Sequence, residues 1–298
     1  MARSAGVYVH MSVKILGGKV FAAIIKENVR AEVRTLIDVH GITPGLAVII
    51  VGENPASKVY VAHKHKACMD IGIYSEVLQM PTDSTKEQLL SQIGLLNDNQ
   101  KIDGILLQLP LPEHLKFHET EFLNAIHPDK DVDGFHPVNV GKLAVGQEHL
   151  VPCTPYGCIK MLELAEIGVA GKHAVIVGRS NIVGKPMANL LLTRHATVTI
   201  CHSRTRDLPS ITKQADILVV AIGKPNFITK DMVKPGAIVI DVGINRTPEN
   251  KLVGDVDFEQ VKEVAGAITP VPGGVGLLTI ATLLSNTVKA VKARRNIK

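Results

Sequence analysis

AVIVGRSNIVGKP, residues 174–186, is the stretch of this sequence that decides its fold. Its first four residues are apolar and largely β-branched, which is typical of a strand buried on both faces of a parallel sheet. A turn with Gly178 and Gly184 follows, and the apolar residues of 187–192 indicate a helix. Strand, glycine turn and helix are typical of dinucleotide binding, because glycine admits a pyrophosphate beside the backbone and the helix start attracts its charge. Ser180 replaces the middle glycine of the usual fingerprint, so an ordinary tight turn is the alternative.

The strand predicted next, Thr197–Cys201, ends in His-Ser-Arg-Thr-Arg at 202–206, with no acidic residue from 185 to 206. NAD enzymes usually carry an acid there that binds the ribose 2′-hydroxyl. The hydroxyl of Ser203 and the guanidinium of Arg204 suit a 2′-phosphate instead. The segment therefore predicts NADP as the cofactor rather than NAD, the alternative being a solvated basic turn.

Composition restricts the class of protein. The 298 residues are enough for two domains, and 46% are hydrophobic without a membrane-length apolar run. The four cysteines have no C-x-x-C spacing, which predicts reduced thiols and no metal site. The first ten residues lack the features of a secretory signal, so a cytoplasmic location is expected, and Met11 is an alternative start. A net charge of +5 with 3% aromatic residues predicts small anionic ligands and no nucleic-acid partner.

Along the chain, two α/β domains are predicted. Apolar strands are predicted at 46–51, 74–79 and 105–109. They alternate with helices at 20–37 and 56–69 and with a third helix that begins at a Ser84–Glu87 capping box. Residues 11–150 are therefore predicted to form an α/β catalytic domain with a parallel sheet. Residues 151–276 are predicted to form a Rossmann-like nucleotide-binding domain, whose first helix Thr154 caps and Pro155 begins. A C-terminal helix, 277–298, is expected to return to the first domain.

Several polar residues stand where chemistry is expected. Tyr60 and Lys64 are one helical turn apart, and a partly desolvated lysine exchanges protons near neutral pH. Gln108 ends a predicted buried strand, where ligands of open α/β sheets bind. Asp131 and Asp133 share the turn KDVDG, which is interpreted as a solvated turn, a metal site or a clamp for a donor-rich heterocycle. A surface Tyr–Lys pair is the simpler alternative at 60–64.

Seven motifs occur in an order that resembles one family, the bifunctional methylenetetrahydrofolate dehydrogenase/methenyltetrahydrofolate cyclohydrolases (FolD-like), over roughly residues 13–291. The motifs are Ala56-Ser-x-x-Tyr60-Val-x-x-Lys64, Gly104-Ile-Leu-Leu-Gln108-Leu-Pro110, Lys130-Asp-Val-Asp133-Gly134, Pro152-Cys-Thr-Pro155, Val177-Gly-Arg-Ser180-x-x-Val-Gly184-x-Pro186, Asp241-Val-Gly-Ile244-Asn245 and Thr269-Pro-Val-Pro-Gly-Gly-Val-Gly276.

The resemblance implies NADP-dependent oxidation of 5,10-methylenetetrahydrofolate to the methenyl form and hydrolysis of that product to 10-formyltetrahydrofolate. It implies that Lys64 is the catalytic lysine, with Tyr60 stacking on the folate and Gln108 tuning the lysine. It implies folate binding by Tyr60, Asp133, Pro272 and Gly273, with Asp133 on the aminopyrimidine edge. Cofactor binding is implied for Gly178, Arg179, Ser180, Gly184, Ser203, Arg204 and Ile244, and a homodimer is expected.

Two segments depart from the family pattern. Gly276-Leu-Leu-Thr279 stands where Gly-Pro-Met-Thr is common, and Gly17-Gly-Lys19 where Asp-Gly-Lys is common. The first departure predicts a different pocket shape, and neither removes a catalytic group. A dehydrogenase without cyclohydrolase activity and a catalytically silent binding protein are the alternatives.

Overall fold

The computed structural model describes residues 13–297, and its first half is built on a small parallel sheet. Three strands pair in the order β3-β2-β4, with the central strand wholly buried. The predicted β-α-β-α-β succession is confirmed. The elements are β1 (Lys14–Ile15), α1 (Gly18–His40), β2 (Gly45–Val51), α2 (Pro55–Ile71), β3 (Tyr74–Met80), α3 (Lys86–Asp98), β4 (Gly104–Leu107), α4 (Glu113–Lys116), α5 (Glu119–Ala125) and α6 (Pro137–Ala144).

The second half is built on a six-stranded parallel sheet in the order β1-β11-β8-β7-β5-β6, which confirms the Rossmann-like prediction. A short antiparallel ribbon, β9–β10, stands apart from it. The elements are α7 (Cys153–Leu164), β5 (His173–Val177), α8 (Gly184–Leu192), β6 (Thr197–Cys201), α9 (Leu208–Thr212), β7 (Ile217–Val220), a 3₁₀ turn (Lys230–Met232), β8 (Ile238–Asp241), β9 (Asn245–Arg246), β10 (Leu252–Val253), α10 (Phe258–Val261), β11 (Ala267–Ile268) and α11 (Gly276–Arg294).

The chain crosses between the two halves more often than the sequence suggested. Strand β1 pairs in parallel with β11 at the edge of the larger sheet, with Lys14 opposite Ala267. Residues 14–15 therefore belong to the second sheet, although the predicted boundaries placed them in a first domain of 11–150. The boundaries at 150 and 276 stay predictions.

Helix α11 completes the core of the first half, as predicted. Leu278, Leu284 and Val288 are buried in one cluster with Val29 and Val33 of α1. Each such side chain contributes about 1.5–3 kcal/mol by leaving water. Near its end, the helix is also held to the first half by an ion pair of 2.7 Å between Arg294 and the buried Asp103.

Two helix starts differ from the sequence prediction. The capping box of α3 is formed by Thr85 and Gln88, one residue after the predicted Ser84–Glu87 pair. Helix α7 begins at Cys153 after Pro152, so the prediction that Thr154 caps it is wrong. At α3 the predicted and observed pairs both fit the capping-box pattern, and the backbone uses the later pair. At α7 the N-cap residue is Pro152, which makes no side-chain cap. No helix within residues 13–297 is long and apolar enough to cross a membrane.

Candidate active site

Helix α2 presents Lys64 to the interior. The helix starts where the side chain of Asn54 accepts a hydrogen bond from the Ser57 N–H, with Pro55 in its first turn. Lys64 lies on the buried face and is 9% exposed, whereas Tyr60, one turn earlier, is 41% exposed. The amine is therefore withdrawn from solvent while the phenol ring beside it is accessible.

Lys64 and Gln108 are in contact. The Nζ atom of Lys64 donates to Oε1 of Gln108 at 2.9 Å, and Nε2 of Gln108 donates to the Leu109 carbonyl at 2.6 Å. The amide thus turns its oxygen to the lysine, because its nitrogen already has a backbone acceptor. The Gln108 N–H also donates to the Ile49 carbonyl at 2.8 Å, which ties this residue to β2.

Burial changes the proton affinity of the lysine and of a nearby acid in opposite directions. Burial lowers the pKa of Lys64, and the charge of Asp133 partly opposes that change. Burial likewise raises the pKa of Asp133, with Lys64 opposing. The two groups are therefore shifted toward each other, and Lys64 is suited to proton transfer closer to neutral pH than a solvated lysine.

The two acids of the KDVDG turn have different surroundings. Asp131 accepts hydrogen bonds from the Gly134 N–H at 3.1 Å, the His136 N–H at 2.8 Å and the Asn139 amide at 2.9 Å. It is buried and serves the turn itself. Asp133 is half-buried and lines a cavity. Among residues 13–297, no group of three or more His, Cys, Asp or Glu side chains is arranged to hold a metal ion.

That cavity, of about 170 Å³, lies between the two halves of the chain. Lys64, Gln108 and Asp133 line it together with residues that the sequence analysis did not predict as site residues. They come from the segment around Gln108, the residue after the KDVDG turn, the start of α7, the nucleotide loop and α11. These additional residues are Leu106, Leu107, Leu109, Phe135, Cys153, Thr154, Ile182, Val183 and Thr279. Thr154 and Thr279 are joined by a hydroxyl–hydroxyl hydrogen bond of 3.1 Å across α7 and α11.

The glycine turn after β5 is tightly folded. Gly178 has φ +129°, and a Cβ atom there would lie 2.3 Å from the Ala221 carbonyl oxygen. A Cβ atom on Gly184 would lie 2.3 Å from the Gly178 oxygen. Ser180, in place of the middle glycine, accepts hydrogen bonds from the Val183 and Gly184 N–H groups at 3.1 and 3.3 Å. The serine therefore closes the turn at the start of α8, and it is exposed there, as is Arg179.

The turn after β6 is fixed by its own side chains. Thr205 Oγ1 accepts from the His202 N–H at 2.8 Å, and the His202 ring Nδ1 accepts from the Arg204 N–H at 3.1 Å. Ser203 and Arg204 are exposed, and the first acid, Asp207, comes after the turn. A basic and hydroxyl donor set at this strand end fits a phosphate monoester, and the glycine turn fits a pyrophosphate.

The remaining predicted residues lie outside the cavity wall. Ile244 is half-exposed and packs near the start of α11, since a Cβ atom on Gly276 would be 3.5 Å from its Cδ1 atom. Pro272 and Gly273 are exposed, and the Gly273 carbonyl accepts from the Gly18 N–H at 2.7 Å. This bond holds the 270–274 loop to the start of α1.

The chain matches two protein-domain families, and the two matches together cover most of it. Residues 16–133 match the catalytic domain of tetrahydrofolate dehydrogenase/cyclohydrolase. Residues 152–295 match the NAD(P)-binding domain of the same family. The division agrees with the two sheets described above.

Individual relatives are similar over nearly their whole length. The bifunctional protein FolD of Moorella thermoacetica is 58% identical, covering 95% of this chain and 100% of that protein. The crystal structure of the Campylobacter jejuni bifunctional enzyme is 51% identical with a TM-score of 0.91, covering 95% and 99%. The Trypanosoma brucei enzyme, complexed with NADP cofactor and inhibitor, is 36% identical with a TM-score of 0.89, covering 95% and 98%. This chain belongs to the tetrahydrofolate dehydrogenase/cyclohydrolase family.

Proposed function

We propose that this bifunctional methylenetetrahydrofolate dehydrogenase/methenyltetrahydrofolate cyclohydrolase carries out both reactions in the cavity between its domains. The observation that carries the proposal is that Lys64, Gln108 and Asp133 line the same cavity as the nucleotide loop at 182–183. The first three come from the half that matches the catalytic domain, and the loop comes from the half that matches the NAD(P)-binding domain. Folate and nicotinamide thus have adjacent sites.

In the dehydrogenase step, the residues of this chain act by placement. Bound NADP supplies the acceptor for the hydride that leaves the methylene carbon of 5,10-methylenetetrahydrofolate. Holding the two reactants in contact provides much of the rate enhancement of such a transfer. Asp133 binds the aminopyrimidine edge of the pterin, since a carboxylate pairs well with a surface of donors. Tyr60 stacks on the folate from the accessible side of α2.

In the cyclohydrolase step, the residues of this chain move protons. Water adds to the methenyl carbon, a proton is lost from that water, and the ring opens to 10-formyltetrahydrofolate. The Lys64 amine is buried and has a lowered pKa, so it is suited to take the proton and return one to the departing ring nitrogen. Gln108 holds the amine in place through its amide oxygen at 2.9 Å.

NADP is proposed as the preferred cofactor. Ser203 and Arg204 are exposed on a turn that its own side chains fix, and no acid stands between residues 185 and 206. A ribose 2′-phosphate would find donors there rather than a repelling carboxylate. Pro272, Gly273 and Ile244 are proposed to contact the ligands along the outer edge of the cavity.

A homodimer formed through the nucleotide-binding domain is also proposed. Strand β6 is the outer strand of the six-stranded sheet, and its residues Thr197 and Ile200 are exposed. An exposed edge strand pairs readily with a symmetry-related copy of itself. Sedimentation velocity would give the mass of the particle.

The cytoplasm is the proposed location, because the four cysteines are free and buried, as expected in a reducing compartment.

The direct test is turnover by the purified chain. Formation of the methenyl product is followed spectrophotometrically with NADP and with NAD, and methenyl hydrolysis is followed separately without cofactor. We expect both activities, with higher catalytic efficiency for NADP. Hydride transfer without hydrolysis would favour the single-activity alternative, and absence of both would favour a binding protein.

A further inference from the structure

Asn286 is a fully buried polar residue of α11 whose amide leaves its own helix. Its Nδ2 atom donates to the Val132 carbonyl at 2.9 Å and to the Val151 carbonyl at 2.8 Å. Its Oδ1 atom has no hydrogen-bond partner within residues 13–297. The orientation of the amide is thereby set, because the reverse orientation would turn an oxygen toward two carbonyl oxygens.

The Val132 carbonyl lies in the KDVDG turn, directly before Asp133. Asp131 anchors the turn through its own carboxylate, as described above. On the other side, Val132 O accepts from Asn286 and from the thiol of Cys153, at 3.3 Å. The peptide that carries Asp133 is therefore held by a side chain from a helix about 150 residues later in the chain.

Neighbouring polar residues of α11 have different partners. The hydroxyl of Thr287, also fully buried, donates only to the Leu283 carbonyl of its own helix. The Thr282 hydroxyl donates to the Cys153 carbonyl at 2.8 Å and to the Leu278 carbonyl. Of these three residues, only Asn286 donates a hydrogen bond to the turn that carries Asp133.

We infer that Asn286 is a positioning residue for folate binding, which acts by fixing the backbone of Asp133. The inference rests on the proposed function, in which Asp133 binds the pterin. Without the Asn286 amide, the Val132 carbonyl accepts a side-chain hydrogen bond only from the Cys153 thiol. The Asp133 carboxylate is then no longer held in one place. Loss of placement of this kind costs roughly 10-fold to 100-fold in catalytic efficiency.

The experiment compares Asn286→Leu with Thr287→Val. The first keeps a side chain of similar volume and removes both donors, and the second removes a buried hydroxyl bonded only within α11. We expect Asn286→Leu to raise KM for methylenetetrahydrofolate and for methenyltetrahydrofolate by about 10-fold or more, with KM for NADP unchanged. Thr287→Val should change none of the three. KM does not depend on the amount of folded enzyme, so partial unfolding of a variant would not imitate this result. If Asn286→Leu does not fold, Asn286→Ala is measured in the same way.

A double-mutant cycle with Asp133→Asn separates positioning from general weakening. If Asn286 acts through Asp133, Asn286→Leu should have little further effect on folate KM once Asp133 is already replaced. Equal effects in both backgrounds, or an equal rise in KM for NADP, would overturn the inference. If Asp133→Asn itself leaves folate KM unchanged, the proposed role of Asp133 fails instead, and the two failures are distinguishable.

Discussion

Nζ of Lys64 lies 2.9 Å from Oε1 of Gln108, and the nitrogen of the same amide is bound to the backbone of Leu109. Lys64 therefore donates to an amide oxygen whose orientation is fixed by the protein backbone and not by the substrate. An amide oxygen holds a neutral amine and an ammonium alike, because it accepts a hydrogen bond from either. In the proposed cycle, in which the lysine gains and loses a proton, Gln108 thus keeps Lys64 in one position.

Lys64→Met removes the amine and keeps most of the apolar stem. We expect cyclohydrolase activity to fall about 10²–10⁴-fold, as for loss of an acid–base group. Dehydrogenase activity should fall less, so the methenyl product accumulates, and absorbance with each substrate measured separately would show this. Lys66→Met, on the exposed side of the same helix, is the control. An equal loss in both reactions would make Lys64 a positioning residue only.

Lys64→Met should not lower the thermal stability of the enzyme at neutral pH. Burial lowers the pKa of Lys64 in the folded protein below the ordinary 10.5. Folding therefore disfavours the protonated form, and this penalty is present at pH values below the folded pKa and disappears as pH rises toward 10.5. Lys64→Met removes the penalty, so its Tm at pH 7 should equal or exceed that of the unmutated enzyme. A lower Tm would show that the lysine contributes net stability.

The pH dependence of the cyclohydrolase should report Lys64. If its neutral amine takes the proton from water, kcat should rise with pH, with a midpoint below 10.5, after the enzyme-free rate is subtracted. The charge of Asp133 raises the pKa of Lys64, so Asp133→Asn should move this midpoint to lower pH. A midpoint that stays fixed in Asp133→Asn, or persists in Lys64→Met, belongs to another group.

Asp133→Asn keeps the shape of the side chain and presents a donor to the donors of the pterin. Both activities should fall together by roughly 10-fold or more, because the proposed contact with the pterin serves both reactions and a charged hydrogen bond is worth about 1.5–3 kcal/mol. Asp129→Asn, at a partly exposed acid in the segment just before the turn, is the matched control. Unchanged Michaelis constants in Asp133→Asn would leave Asp133 as a residue of the turn.

Arg204→Ala should reduce the preference for NADP over NAD. Losing a contact between a guanidinium and a phosphate costs on the order of 1–3 kcal/mol, so the ratio of catalytic efficiencies should fall about tenfold or more. Arg206→Ala removes the same charge from an exposed position of the same turn and should have a smaller effect. Equal efficiencies with both cofactors in the unmutated enzyme would contradict the NADP proposal.

The long elements were predictable because each carries a periodic pattern of its own. The buried run of β2 and the apolar stripe of α1 needed no information from elsewhere in the chain. Strand β1 was missed because two residues carry no period, and its partner β11 lies about 250 residues away. The cap of α3 was misplaced by one residue because Ser84 and Thr85 fit the same pattern.

The candidate site was only partly predictable, for a related reason. Lys64, Gln108 and Asp133 lie in local motifs. That Val183 and Thr279 line the same cavity depends on how the two halves of the chain meet. The contact of Asn286 with the Asp133 turn joins segments that no local pattern relates. Sequence motifs thus indicate the candidate reactive groups, and long-range packing decides which residues hold them in place.

The return of α11 to the first half has a consequence for synthesis of the protein. The core around Val29 and Val33 includes Leu284 and Val288, so it cannot be completed until helix α11 has left the ribosome. The edge strand β1 likewise waits for β11. The domain translated first is therefore finished last, and a nascent chain interrupted before residue 267 has neither a closed core nor a complete larger sheet. We expect such fragments to be substrates for chaperones and proteases, and the two activities to arise together only after α11 has been translated and has packed.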